Sequence, residues 1–157
     1  MALSADVPAV RFGSPGNSTQ QIVKPLAASV TVYGGSVATT RAGYVTPAST
    51  PQSTDLVWGL IYRQTPLIPP QSASTVAGTY NAVIDTGSFF LNAGTGSDAL
   101  SAANVGATVY LINETTVGLT NGGATRPIAG VLLNIDTNVT PSYAVALGSN
   151  RGTGAPS

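Results

Sequence analysis

Any chemistry in this chain would have to come from six carboxylates, Asp6, Asp55, Asp85, Asp98, Glu114 and Asp136, and from one lysine, Lys24. There is no histidine and no cysteine. A Ser-His-Asp triad is therefore impossible, and metal sites built on thiolate or imidazole are excluded by residue type. Lys24 is the one amine a Ser-Lys dyad could use; it stands directly before Pro25 and reads as a solvated or interface lysine. Two carboxylates from distant positions could still converge as a glycosidase pair. Carbohydrate grooves, however, are lined by many polar and aromatic groups, and only 6% of this chain is aromatic. "DTNVT", residues 136–140, starts like a calcium loop but lacks its further acidic positions, and reads as a turn. The glycine clusters "TVYGGS", "NAGTGS" and "TNGGAT" precede no helix with a Lys-Ser/Thr pair, so they read as β-turns and not as phosphate loops. Asn17, Asn113 and Asn138 stand in N-x-Ser/Thr triplets that a threonine-rich chain produces by chance. No enzymatic activity, metal or cofactor is expected.

Composition narrows the classes further. A chain of 157 residues forms one domain, or two small lobes sharing a core. Hydrophobic residues make up 43%, enough for a core, while charged residues are only 8%. Solubility then rests on Ser, Thr, Asn and Gln, or much of the surface is covered by partners. Six basic and six acidic residues cancel, which removes the electrostatic footprint of a nucleic-acid binder and any attraction to anionic membranes. Weak self-repulsion suits a protein packed densely beside its own copies. No run approaches the roughly 18 apolar residues that span a bilayer. The opening "MALSADVPAVRFGSPGNSTQ" has no basic start and no long apolar stretch, so no secretory signal is expected. The lack of cysteine fits assembly in a reducing cytoplasm.

Residues 1–25 are punctuated by Pro8, Pro15 and Pro25 and read as an extended arm. The arm carries Val10, Arg11, Phe12, Ile22 and Val23, apolar and cationic groups expected to dock on a neighbouring subunit. A β domain is expected over 26–148 and a disordered tail over 149–157. Period-two alternation begins at "SVTVY", and "GYVTPAS" follows as a short strand. "DLVWGLIY", residues 55–62, is apolar on both faces, with Val57 and Ile61 on one and Leu56, Trp58, Leu60 and Tyr62 on the other. That pattern predicts a strand buried on both sides or sealed by another subunit, which makes Trp58 and Tyr62 further interface candidates. "TPLIPPQSASTVAG" reads as a loop, and "TYNAVIDTGSFFLNAG" as one or two strands parted near Thr86 and Gly87. "SDALSAANVG" predicts one short helix, N-capped by Ser97 and ending near Gly106. Residues 108–136 read as two strands joined by a long polar hairpin, and "SYAVALG" as a last strand.

Short strands, Gly/Pro/Thr turns and almost no helix predict an all-β fold, a small β-barrel or β-sandwich preceded by the extended N-terminal arm. An echo runs through it: "TVY" at 31–33 leads to "VWGLIY", and "TVY" at 108–110 leads to "IAGVLL". The spacing from Tyr33 to Gly59 exceeds that from Tyr110 to Gly130 by one loop insertion. The echo is either a pair of related strand–hairpin–strand halves or a coincidence of short motifs.

The order of these pieces resembles the small decoration, or capsid cement, proteins of tailed bacteriophages. The likeness runs over "LSADVPAVRFG", "KPLAASVTVYGGSVATTRAGYVTPAS", "GSFFLNAG", "ALSAANVGATVYLINETTVGLTNGGATRPIAGVLLNID" and "YAVALG". Its most specific part lies between Leu100 and Gly130, in "VGATVY", "TTV" and "TRPIAG". Two places depart from that pattern: "RQTPLIPPQSASTVAG" is more proline-rich than the usual charged hairpin, and the strand around Phe89 lacks preceding arginines. The resemblance implies a non-enzymatic structural protein of the virion, made in the bacterial cytoplasm and bound to the outer surface of the head. Its partners would be the major capsid protein and two further copies of itself in a homotrimer, with no nucleic acid and no membrane. A receptor- or carbohydrate-binding β module of the virion surface, or another structural virion subunit such as a tail-tube or spike component, are the competing readings.

Overall fold

A computed structural model describes residues 3, 10–11, 21–62, 71–72 and 75–148. Its strands, in chain order, are β1 (Val10–Arg11), β2 (Gln21–Pro25), β3 (Thr31–Val32), β4 (Val37–Arg41), β5 (Tyr44–Pro47), β6 (Leu56–Ile61) and β7 (Gln71–Ser72). They continue with β8 (Asn81–Asp85), β9 (Ser88–Ala93), β10 (Thr108–Asn113), β11 (Thr116–Gly118), β12 (Ile128–Ile135) and β13 (Tyr143–Leu147). The fold is all-β.

Five of these strands close into a C-terminal barrel, in the ring β9-β13-β12-β10-β11, because β9 pairs with β13 on one edge and with β11 on the other. The other large sheet, β2-β8-β6-β4-β5, has the same order and directions. It curls until Leu26, just past β2, forms a parallel bridge with Val45 on β5. The N-terminal barrel thus closes as the C-terminal one does at Ala93 and Val117, but by a thinner seam. In the C-terminal barrel the Asn92 and Gly94 amides donate to the Thr115 and Val117 carbonyls at 3.0 and 2.8 Å. Pro25 stands where Asn92 would be and has no N–H, so only the Ala27 amide bonds across, to the Val45 carbonyl at 3.0 Å.

The two barrels follow one another along the chain, with Thr86 and Gly87 between them, and their registers coincide. Ala38 pairs with Gly59 and Thr39 with Val57, leaving Trp58 as an extra bulged residue; Val109 pairs with Gly130 and Tyr110 with Ile128, leaving Ala129. The Gly35 amide donates to the Ile61 carbonyl as the Gly106 amide donates to that of Leu132, both at 2.8 Å. Ile22, Leu26, Val45, Ile61 and Ile84 pack the N-terminal barrel at the positions that Phe89, Ala93, Val117, Leu132 and Val145 hold in the C-terminal one. The structural repeat is thus registered on Ala38 and Val109, whose separations from Gly59 and Gly130 are equal. The two "TVY" triplets are not its equivalent positions: Tyr110 matches Thr39.

The bulge at Trp58 redraws the faces of "DLVWGLIY". An extra residue inverts the alternation beyond it, so Val57 and Leu60 share one face and Trp58 and Ile61 the other. Ile61 and Trp58 fill the N-terminal barrel, whereas Val57 and Leu60, with Val37 and Ala48, join the core that runs into the C-terminal barrel. β6 is the wall the two barrels share.

Other expectations are also corrected. No α-helix forms in "SDALSAANVG"; two single 3-10 turns, Gly96–Asp98 and Ala102–Asn104, stand there, preceded by Thr95 and Ser101 and not capped by Ser97. So short a stretch cannot offset helix nucleation, and Asn104 instead bonds back to Ser101, its Oδ1 accepting from the Ser101 amide at 2.8 Å. The arm is not separate through residue 25: Gln21–Pro25 is a stave of the N-terminal barrel, and Val10–Arg11 pairs with Phe89–Phe90 of β9. Pro25 is tolerated because it ends its strand and its nitrogen faces away from β8. Residues 108–136 hold three strands, β11 forming a tight hairpin with β10 before the long loop to β12. "SVTVY" yields only Thr31–Val32, which pairs with Gln71–Ser72 inside the stretch read as a loop, while Val37–Arg41 is a strand that alternation did not show.

Candidate interaction surface

The charged side chains of the described barrel residues are occupied as structure. Asp98 accepts hydrogen bonds from the Thr120 hydroxyl at 2.6 Å and amide at 3.1 Å, and from Arg126 Nη1 at 2.9 Å to each oxygen. The Thr120 hydroxyl, then Arg126, hold its carboxyl below the ordinary range despite partial burial. Such a carboxylate ties the 3-10 turn to the loop before β12 and, with its pKa lowered, is a weaker base than a free one. Arg41 makes a two-bond pair with Asp55, Nε to Oδ1 and Nη2 to Oδ2, both at 2.8 Å, which raises the Arg41 pKa further.

Glu114 is buried in the hairpin between β10 and β11. Burial pushes its carboxyl above the ordinary value, against the opposing effects of the Leu3 amide, which donates to Oε2 at 2.7 Å, and of the chain's amino terminus. Its carbonyl accepts from the Val37 amide at 2.7 Å and so links the two barrels. Among the described residues no three of His, Cys, Asp or Glu converge to hold a metal ion.

Lys24 is engaged as well. Its Nζ lies 3.9 Å above the centre of the Trp58 ring, and Trp58 Nε1 donates to Thr40 Oγ1 at 2.8 Å. In the C-terminal barrel the same three positions are Leu91, Ala129 and Leu111, all buried. The N-terminal barrel therefore places a cation, an indole and a hydroxyl where its twin uses hydrocarbon.

The interface candidates scatter. β1 places Val10 and Arg11 against β9 of their own chain, and Phe12 lies outside the described residues. Ile22 is half-buried against the core of the N-terminal barrel. Trp58 is half-buried with it, and Tyr62 is half-buried after β6, its amide donating to the Val83 carbonyl at 2.9 Å. Of the candidates Ile22, Val23, Trp58 and Tyr62, Val23 is the well-exposed one, at 60%.

Three residues that sequence reading passed over join Val23. Tyr44, Val76 and Tyr80 are also exposed. The turn carrying Val76 and Tyr80 lies on the seam, its Gly78 amide donating to the Leu26 carbonyl and its Tyr80 carbonyl accepting from the Leu26 amide. At Gly78 the nearest side chains are Tyr44 and Pro25. The outward face of β2 at Val23 and Pro25 thus continues into an apolar patch on the seam of the N-terminal barrel. Alternation in "GYVTP" could have shown that Tyr44 faces outward; its meeting with residues 76–80 is tertiary.

A groove of about 280 Å³ lies between the barrels, lined by Ser53, Thr54, Tyr110, Asn121, Ala124 and Arg126. Arg126 there is neutralised by Asp98, and the Asn121 side-chain oxygen accepts from the Gly123 and Ala124 amides. The groove mixes polar and apolar groups, and its charged lining residue, Arg126, is paired. No family model, curated protein or solved structure matches this chain.

Proposed function

We propose that this protein is a non-enzymatic structural subunit of a virion, which decorates the outside of a phage head and holds neighbouring major capsid subunits together. The observation that carries the reading is the pairing of a double barrel, whose charged groups among the described residues are spent on internal contacts, with exposed apolar groups at Val23, Tyr44, Val76 and Tyr80. The resemblance to capsid cement proteins points the same way. Pressure from packaged nucleic acid pushes capsid subunits apart, and a cement resists by burying surface on several of them at once. A rigid scaffold with strand edges and apolar patches does this without titratable machinery. A homotrimer would multiply modest contacts by avidity.

The groove at Tyr110, Asn121 and Arg126 favours a second reading, a glycan-binding module of the virion surface. Heads lacking the protein, mixed with the purified chain and weighed against the major capsid protein by quantitative electrophoresis, separate the two. A fixed, saturating stoichiometry is expected of a cement; absence of attachment, with saturable binding on a glycan array, would replace it by the second reading.

A further inference from the structure

The two barrels also differ at Val23 and Phe90, where their registers coincide. In the C-terminal barrel the Asn92 amide donates to Thr115, so residues 90 and 92 turn their backbone groups to the same edge of β9. On that edge Val10 pairs with Phe90 and Arg11 with Phe89, and the Phe90 side chain is only 8% exposed. Val23 holds the Phe90 position in the N-terminal barrel. The Leu26 amide bonds to Tyr80, so residues 22, 24 and 26 face β8, and Val23 turns its N–H and C=O the other way. Among the described residues no strand pairs with that edge, and Val23 is 60% exposed on the strand whose end, Pro25, nears the turn at Gly78 and Tyr44.

We propose that the Val23 edge of β2 is a strand-acceptor site, filled in antiparallel register by an extended segment of the major capsid subunit, as β9 is filled by Val10–Arg11. The inference rests on the reading above only for which protein supplies the segment. The chain's own strand of this kind is committed to β9. Residues 149–157, "SNRGTGAPS", carry no Val, Ile, Leu or aromatic side chain to cover the patch. With Val23 exposed and no described strand on its edge, the occupant is sought in another polypeptide. It carries an apolar, β-branched residue opposite Val23 and has backbone groups free to complete the ladder. An uncharged flank suits the Tyr44–Tyr80 side of the site.

The test is amide hydrogen exchange on the full chain, with a synthetic peptide of residues 4–13, "SADVPAVRFG", as the probe strand. In the free protein the Val23 amide should exchange about 100-fold faster than the Phe90 amide, and excess peptide should slow it. Val23→Pro removes the outward N–H without touching a bond to β8, so melting should stay within about 3 °C of the parent. The variant should lose the peptide's protection of β2 and attach to heads lacking the protein about ten-fold more weakly. Should Val23→Pro fail to fold, Val23→Lys, which guards an edge by charge, takes its place. A Val23 amide as slow as that of Phe90 in the free protein, or undiminished attachment by the variant, would overturn the proposal. If the parent chain does not attach to heads at all, the functional reading fails by itself. The peptide then decides the site: protection at Val23 upholds a strand acceptor, and its absence sinks it.

Discussion

Gly59 and Gly130 occupy the same place in the two barrels, each pressed against the backbone of the strand beside it. A Cβ on Gly59 would collide with the Asp85 carbonyl, and one on Gly130 with the Ala146 carbonyl. Both follow the bulged residue that turns the strand, Trp58 in one barrel and Ala129 in the other. Backbone cannot move aside as a flexible side chain can, so Gly59→Ala and Gly130→Ala should each cost about 3 kcal/mol. Calorimetry should show a fall of roughly 6–12 °C for either variant. A loss confined to one of the two would argue against equivalent roles.

Asp98 makes stability sensitive to acid. Its folded pKa lies below the unfolded value, so the contribution is present at neutral pH and is lost as pH falls through the folded pKa. Asp98→Asn should cost about 2 kcal/mol at neutral pH, since Arg126 and Thr120 lose a charged acceptor. The gap between variant and parent in urea melts should narrow toward the acid end. A gap independent of pH would mean that the carboxylate charge is not what matters.

Glu114 should act in the opposite sense. Burial raises its folded pKa, so its contribution is full below the unfolded pKa and is lost as pH rises through the folded one. Glu114→Gln keeps an oxygen for the Leu3 amide and removes the buried charge. The variant should melt at or above the parent at neutral pH, with the difference vanishing in acid. A variant less stable than the parent at neutral pH would show that the charge, and not just the acceptor, is used.

Truncation locates the boundary of the N-terminal segment. Removing residues 1–25 takes out β2, a stave of the N-terminal barrel, together with Ile22 and the Lys24–Trp58 contact. The product should not melt cooperatively, and its single tryptophan should emit as in water. Removing residues 1–9 spares every described strand and should keep a cooperative transition. A folded, cooperative product of the longer deletion would show that the barrel closes without β2.

Short alternating apolar runs, frequent turn residues and the absence of helical spacing determined by themselves that the chain is all-β. The absence of histidine and cysteine determined what chemistry it lacks. These are local properties, since alternation is imposed by each strand's own backbone. What the tertiary structure decided is non-local. "QIVKP" ends in a proline and looked like arm until β8 bonded to it. Alternation along an uninterrupted ladder puts Trp58 and Leu60 on one face; the bulge that parts them exists only relative to Ala38 and Thr39 on β4. The repeat was audible at Gly59 and Gly130 but out of register, because equivalence is set by partner strands and not by matching triplets. Val23 and Phe90 carry the point furthest. Both are apolar residues on strands of the same position and direction, yet one is 60% exposed and the other 8%. What sets them apart in the fold is the pairing of Val10–Arg11 with one edge and not the other.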